Sequence, residues 1–224
     1  MVPGIVNEAL AGSPAAVADG IAAYKAGDLE GARRLLIDAA EAGDATAQFY
    51  VGVIHHLGAA PQGNPELAAL WYRRAADQGL AGAQRNLGVL HESGTGRPRN
   101  DGKAAKWYRR AALQGDALAQ HNLAMMLSEG RGVDENDEEA TIWLRRAAEQ
   151  GDRPSQVALA LRLSLGIGEP EDLIQAYAWM TIALGHAEGA DDKERVSWLR
   201  RHISRRLTTQ QLGAAEQLAR KISP

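Results

Sequence analysis

The chain has 224 residues, 45% of them hydrophobic, which is enough apolar material for one large domain or an elongated array. Its formal net charge of −3 gives no whole-protein reason to expect a nucleic acid as ligand. The absence of cysteine excludes disulfides, thiolate zinc sites and a cysteine nucleophile.

The N-terminal sequence, MVPGIVNEALAGSPAAVADG, has no basic region followed by a compact apolar stretch, so it does not predict a signal peptide. No apolar run reaches the roughly 18 residues that a membrane helix needs. We therefore expect a cytoplasmic location for the chain as it stands, with the periplasm as the alternative if a leader has been removed. Residues 1–43 are predicted to hold an N-terminal segment and a first helix pair.

A nine-residue sequence occurs three times, as WYRRAADQG from Trp71, WYRRAALQG from Trp107 and WLRRAAEQG from Trp143. The copies are 36 residues apart, and Trp179 continues the series. Glycines and Ala-Gln pairs keep the same step, among them Gly43, Gly79, Gly115 and Gly151, and Ala47-Gln48, Ala83-Gln84 and Ala119-Gln120. A fixed period of this length indicates a repeat architecture.

Each repeat is predicted to contain two helices, here called helix A and helix B. In the second repeat, Gly79 suits the left-handed position after a helix, and helix A then covers about residues 81–92. The loop SGTGRPRN separates it from helix B, at about residues 100–114. In the neighbouring repeats an Asp follows the glycine, and its carboxylate can accept bonds from the first amides of the next helix.

Helix B places a Trp between small residues, with Ala104, Trp107 and Ala111 on one face. A large flat side chain flanked by alanines lets another helix pack closely. Neither helix can bury its apolar face alone, whereas stacked neighbours can, so the repeat predicts an all-α solenoid of antiparallel helix pairs.

The sequence AQRNLGVLHESGTGRPRNDGKAAKWYRRAALQGDALAQHNLA resembles the Sel1-like repeat family, a relative of tetratricopeptide repeats. The resemblance implies a right-handed α-solenoid and covers about two thirds of the chain. It places repeats at residues 44–79, 80–115 and 116–151 and a degenerate repeat at 152–187. The helix pair before them resembles a tetratricopeptide repeat, and residues 188–224 are predicted to be basic capping helices.

The C-terminal cap carries a local excess of positive charge. Eight Lys or Arg and two Glu lie between Lys193 and the C-terminus. The cluster of Arg200, Arg201, Arg205 and Arg206 could contact an acidic partner, an anionic membrane or nucleic acid. The alternative is a solvated face of a structural cap, whose last helix would open at a capping box of Thr208 and Gln211.

No motif predicts catalysis or a cofactor. His55, His56 and His91 lack any accompanying zinc motif, so we expect packed histidines and no metal site. The acidic run at residues 134–139 lacks the glycine of a calcium loop and instead suits the start of a helix. The arginine pairs of the repeated sequence could line an anionic groove or lay their stems over apolar neighbours.

By resemblance, helices A line the concave face, which is the usual binding surface of such solenoids. The predicted partner-binding residues are Phe49, Val53, His56, Arg85, Asn86, Val89, Glu92, His121, Asn122, Met125 and Ser128. Asn86 and Asn122 resemble the asparagines with which tetratricopeptide clamps hold a peptide.

The mixture of apolar, imidazole and isolated charged groups on this surface suits a protein or peptide partner, and no nucleic acid is expected. We expect a non-enzymatic adaptor, scaffold or regulator, with the oligomeric state open. One alternative is a small-ligand binder or hydrolase with a pocket at a cap. Another is a cell-envelope factor that contacts a membrane or polymer through its basic C-terminal helices.

Overall fold

The computed structural model describes residues 13–58 and 63–223, and within those ranges every regular element is an α-helix. The helices are α1 (Pro14–Lys25), α2 (Leu29–Glu41), α3 (Ala45–Leu57), α4 (Pro65–Asp77), α5 (Ala81–Ser93), α6 (Asp101–Leu113), α7 (Ala117–Ser128), α8 (Asp137–Glu149), α9 (Arg153–Leu165), α10 (Leu173–Gly185), α11 (Ala190–Ser204) and α12 (Thr209–Ile222). The chain divides into an N-terminal unit, Met1–Ala111, and a C-terminal unit, Ala112–Pro224.

The helix ends follow the predicted signals. Gly43 and Gly79 follow the C-cap residues of α2 and α4 and adopt φ values of +106° and +97°, which side chains disfavour. The carboxylates of Asp44, Asp116 and Asp152 accept hydrogen bonds of 2.7, 2.8 and 2.9 Å from amides at the starts of α3, α7 and α9. Thr208 and Gln211 form the predicted capping box of α12. Local sequence therefore fixes where most helices begin and end.

The tryptophans of helix B lie in the core of the N-terminal unit, as predicted. Trp71 belongs to a buried cluster with Leu36 of α2 and Ile54 of α3. Trp107, which is 6% exposed, belongs to a second cluster with Tyr72 of α4 and Leu87 of α5. Each Trp therefore packs with the helix B of the preceding pair and with the helix A of its own pair.

Buried glutamines join each helix A to the helix B before it. The side-chain amides of Gln48, Gln84, Gln120 and Gln156 donate to the carbonyl oxygens of Ala40, Ala76, Ala112 and Ala148 over 3.0–3.2 Å. These carbonyls lie at helix C-termini, where intrahelical donors run out. Gln78 and Gln150 donate in turn to the Oε1 atoms of Gln48 and Gln120, both at 2.8 Å. The glutamine of the Ala-Gln pair thus supplies a donor to a carbonyl at the end of one helix B and ties the next helix A to it.

Helices A and B approach closely within a repeat because a small residue faces a large one. A Cβ atom added to Gly52 or Gly88 would lie 2.7 Å from the ring of Tyr72 or Tyr108, respectively. In the next two repeats the same positions hold Ala124 with Leu144 and Ala160 with Met180, all buried. Glycine accompanies the tyrosine, and alanine accompanies the slimmer aliphatic side chain.

Gly88→Ala is therefore expected to lower the free energy of unfolding by about 1–2 kcal/mol, because overpacking outweighs the better helix propensity of alanine. Tyr108 cannot easily move away, since it is fully buried and its hydroxyl donates to Glu92 at 2.7 Å. Chemical denaturation measures the change. Gly213→Ala in α12 is the matched control, and it should stabilise slightly because nothing lies within 4 Å of its added Cβ.

A second substitution tests the cause. Gly88→Ala combined with Tyr108→Leu reproduces the Ala124–Leu144 pair of the next repeat. This double variant should be less destabilised than the sum of the two single variants. Additive losses would contradict the steric explanation.

The C-terminal unit contains a buried arginine where the two preceding repeats have Leu90 and Met126. Arg162 is 9% exposed and donates from Nε to Thr141 and from Nη1 to Ser128, both over 2.8 Å. Its Nη2 donates to the carbonyl of Asp137 at 3.0 Å and also pairs with the carboxylate of that residue. Helices α7, α8 and α9 are thus joined by one polar network.

Candidate functional site

In the N-terminal unit, α3, α4 and α5 enclose a pocket of about 260 Å³ lined by Val53, His56, Leu57, Tyr72, Asn86 and Val89. Four of these six residues were predicted from the sequence. Leu57 and Tyr72 were not, because one ends helix A and the other belongs to helix B. We call this cavity the helix A pocket.

Val53, one of the predicted partner-binding residues, is buried. It is 8% exposed and belongs to the buried cluster of Tyr72 and Leu87. The cause is the glycine beside it, since Gly52 lets α4 approach and the Tyr72 ring covers this part of α3. Val53 therefore forms the floor of the helix A pocket, while His56 and Leu57 are exposed at its edge.

A row of aromatic rings leads to the helix A pocket. Ring centroids lie 5.2 Å apart between Tyr24 and Tyr50, and 5.3 Å apart between Tyr50 and Phe49. Tyr72 lies 6.0 Å from Phe49 and 6.1 Å from His56. Such spacings are typical of favourable aromatic pairs, and half-buried rings offer apolar area with polar edges to a ligand. The row is not visible as a motif, because its members come from three helices, α1, α3 and α4.

Tyr72 also provides a polar group at the helix A pocket. Its hydroxyl hydrogen-bonds to the side chain of Asn86, and burial raises the pKa of Tyr72 well above its usual value. The phenol is therefore neutral across the physiological range. Asn86 is half-buried and keeps further hydrogen-bonding capacity in its amide. The pocket thus combines apolar walls with an amide and a phenol.

Other predicted binding residues are engaged within their own units. Glu92 accepts the bond from Tyr108, and His121 lies 2.8 Å from Ser155 and 3.6 Å from the carboxylate of Asp152. Ser128 belongs to the Arg162 network. Arg85, Asn122, Met125 and Phe49 are half-buried. Of the predicted binding residues, His56 at the edge of the helix A pocket is the one that is exposed.

The second arginine of each repeated pair covers a core tryptophan. The guanidinium carbons of Arg74, Arg110 and Arg146 lie 4.6, 4.5 and 4.6 Å from the ring centroids of Trp71, Trp107 and Trp143. Three equal cation–π contacts at the same repeat position indicate a packing role for the second arginine of each pair. These contacts favour packing of the arginine side chains over apolar neighbours, the second alternative from the sequence, over an anionic groove.

The basic cluster of the C-terminal cap is partly structural. Arg200 lies over the Tyr177 ring at 5.6 Å, and Arg206 bonds to the carbonyl of Ser164 and to Glu171 at 3.2 and 2.6 Å. Arg201 and Arg205 are exposed. Arg200 and Arg206 therefore help to hold the cap in place, although Arg206 is exposed like Arg201 and Arg205.

A larger cavity of about 570 Å³ lies between α10 and α12 in the C-terminal unit. His186, Glu216, Arg220 and Ser223 are its polar lining, with Thr181 at one side. Within residues 13–58 and 63–223, no group of three or more His, Asp or Glu is placed to hold a metal ion. No helix in the same ranges is long and apolar enough to cross a membrane.

The comparisons identify repeats throughout the centre of the chain. The family model described as Sel1 repeat matches residues 45–80, 81–116, 117–152 and 153–184. None of the curated proteins matches the chain significantly.

Two similar solved structures are both repeat proteins. One is a protective antigen present in uropathogenic Escherichia coli strains and displaying an SLR fold, with 32% identity and a TM-score of 0.82 over 93% of this chain and 44% of that one. The chain thus spans less than half the length of that antigen. The other is a Sel1 repeat protein from Oxalobacter formigenes, with 36% identity and a TM-score of 0.72 over 76% of this chain and 68% of that one.

These similarities agree with the repeat read from the sequence and confirm the predicted all-α solenoid class. The matched repeats cover more than half of the chain, and the Trp, Gly and Ala-Gln positions recur within them. The chain belongs to the Sel1 repeat family.

Proposed function

We propose that the protein is an adaptor, scaffold or regulator that binds a segment of a partner protein at the helix A pocket and along its aromatic row. Sel1 repeats are generally protein-interaction modules, and their fold is typically a non-enzymatic scaffold. On this proposal the chain has no catalytic role and requires no cofactor, and its site of action is the cytoplasm.

The observation that carries the proposal is the composition and size of the helix A pocket. Its volume of about 260 Å³ is below the roughly 300–1,000 Å³ typical of small-ligand sites, so it suits one large apolar side chain. The walls of Val53, Leu57 and Val89 would receive that side chain. The amide of Asn86 would hydrogen-bond to the partner's backbone beside it.

Leu57→Glu tests this proposal with little risk to folding, because Leu57 is 61% exposed. A charge at the rim should weaken capture of the partner at least tenfold, since binding would have to desolvate the carboxylate. The measurement is affinity capture from source cells with quantitative mass spectrometry, followed by titration of the captured partner.

Leu165→Glu is the matched control. Leu165 occupies the same repeat position three repeats later, at the end of α9, and is 66% exposed. Both variants should melt within a few degrees of the wild type. A partner retained by Leu57→Glu, or lost equally by both variants, would contradict binding at the helix A pocket.

A second candidate function is small-ligand binding at the C-terminal cavity. Its volume of about 570 Å³ is within the range of small-ligand sites, and His186 and Arg220 offer polar contacts. A thermal-shift screen against metabolites tests it, with Arg220→Ala as the variant that should remove the shift. The envelope alternative has weaker support, because Arg200 and Arg206 of the basic cluster already make contacts within the C-terminal unit.

A further inference from the structure

A group of positive charges lies where the loop between α5 and α6 meets α4. It contains Arg73 of α4, Arg97 of the loop and Lys103 of α6, whose charges all act on His91 at the end of α5. His91 is buried, and its Nε2 lies 2.8 Å from Nη1 of Arg97. Because a guanidinium can only donate, Nε2 accepts and the imidazole is neutral. None of these residues lines the helix A pocket.

The group is electrostatically unbalanced. Burial, followed by the charges of Arg97, Lys103 and Arg73, lowers the pKa of His91 to about 4. Burial and the charge of Arg73 also lower the pKa of Arg97. Asp77 pairs with Arg73 at 2.7 Å, which leaves an excess of two positive charges among these five residues.

Two donors in the group have no hydrogen-bond partner among the described residues. They are Nδ1 of His91 and Nε of Arg97, both buried. Unpaired buried donors are uncommon in folded proteins and require an explanation. Together with the excess positive charge, these unpaired donors indicate a site that would bind a hydrogen-bond acceptor.

The equivalent positions two repeats later contain an acceptor. There, Arg145, Glu169 and Gln175 replace Arg73, Arg97 and Lys103. Arg145 donates to Oε1 of Gln175 at 2.9 Å and pairs with the carboxylate of Glu169 at 2.5 Å. The C-terminal unit therefore contains its own carboxylate at this position, where the N-terminal unit has a third cation.

We propose that Arg73, Arg97 and Lys103 form a binding site for a carboxylate, supplied by an acidic side chain of a partner protein. The carboxylate would take the role that Glu169 has for Arg145, accepting charge-assisted hydrogen bonds from the two guanidiniums and the ammonium. Access is open, since the Arg73 side chain is 53% exposed and Lys103 is exposed. The site and its test are independent of the helix A pocket.

The probe is a fluorescein-labelled, blocked hexaglutamate peptide, with hexaglutamine as the neutral comparison, and fluorescence anisotropy measures the affinity. The wild type should bind hexaglutamate in a salt-sensitive manner and should not bind hexaglutamine. Arg97→Glu places a carboxylate beside Arg73 and should lower the affinity at least tenfold. The same change should raise the melting temperature, because it replaces a like-charge contact by an ion pair.

Arg34→Glu on α2 is the matched control, since Arg34 is exposed and the change in net charge is identical. It should alter the affinity less than twofold. The proposal is overturned if the wild type does not bind hexaglutamate, or if the two variants lose affinity equally. Inorganic phosphate that binds the wild type when the peptide does not would also overturn the assignment to a carboxylate.

Discussion

Trp107→Ala is expected to lower the free energy of unfolding by about 3–5 kcal/mol, as large-to-small changes in a packed core do. Trp107 is 6% exposed and packs with Tyr72 and Leu87 between successive helix pairs. The change also removes the ring beneath Arg110, whose guanidinium lies 4.5 Å from the Trp107 centroid. The cavity would separate two stacked repeats, so the loss should extend beyond one helix.

Urea denaturation followed by circular dichroism measures this effect, and the slope of the transition shows whether the repeats still unfold together. Trp198→Ala is the control, because Trp198 is 59% exposed and only stacks on His202 at 5.7 Å. It should cost less than about 1 kcal/mol. Equal losses in the two variants would show that the position between repeats is not what makes Trp107 important.

Arg162→Ala is expected to lower the free energy of unfolding by about 2–4 kcal/mol. Removing one member of a buried ion pair leaves its partner poorly solvated, at a cost of about 3–5 kcal/mol when both are buried. The Asp137 side chain is 40% exposed, so water can compensate part of this loss. The missing side chain also leaves a cavity between α7, α8 and α9.

Arg162→Met separates the effect of losing the charge from the effect of losing side-chain volume. Methionine is the residue at the equivalent position of the preceding repeat, Met126, which is fully buried there. Without the arginine, the Thr141 hydroxyl still donates to the carbonyl of Asp137 at 2.9 Å, and the Ser128 hydroxyl still donates to its carboxylate at 3.3 Å. We therefore expect a change of about 1 kcal/mol or less. A loss as large as that of Arg162→Ala would show that the polar network itself stabilises the C-terminal unit.

The repeat, the helix ends and the buried tryptophans could be predicted from the sequence because they depend on local chemistry. Gly79 ends a helix and Asp116 begins one whatever lies beside them. A strict 36-residue step then shows which faces must be buried, since each repeat docks on the next in the same way.

The pocket could be predicted only in part, because its shape depends on how closely two helices approach. Gly52 and Tyr72 are 20 residues apart in the sequence. Their close contact buries Val53, which therefore lies at the floor of the helix A pocket and not at its rim. Likewise, the period marks Arg73 and Arg145 as equivalent. It does not show that Arg145 contacts Glu169 or that Arg73 lies near Arg97, because contact between a loop residue and the preceding helix B depends on how the loop folds.

The pairing of glycine with tyrosine and of alanine with leucine or methionine has a consequence for how such chains can be recombined. Both members of each pair lie in the same repeat, as Gly52 with Tyr72 and Ala124 with Leu144 do. A genetic crossover between repeats preserves every pair. A crossover within the loop that joined the helix A of Ala124 to the helix B of Tyr108 would place an alanine against a tyrosine and create a clash. An exchange of whole helix pairs therefore needs no compensating change at these contacts.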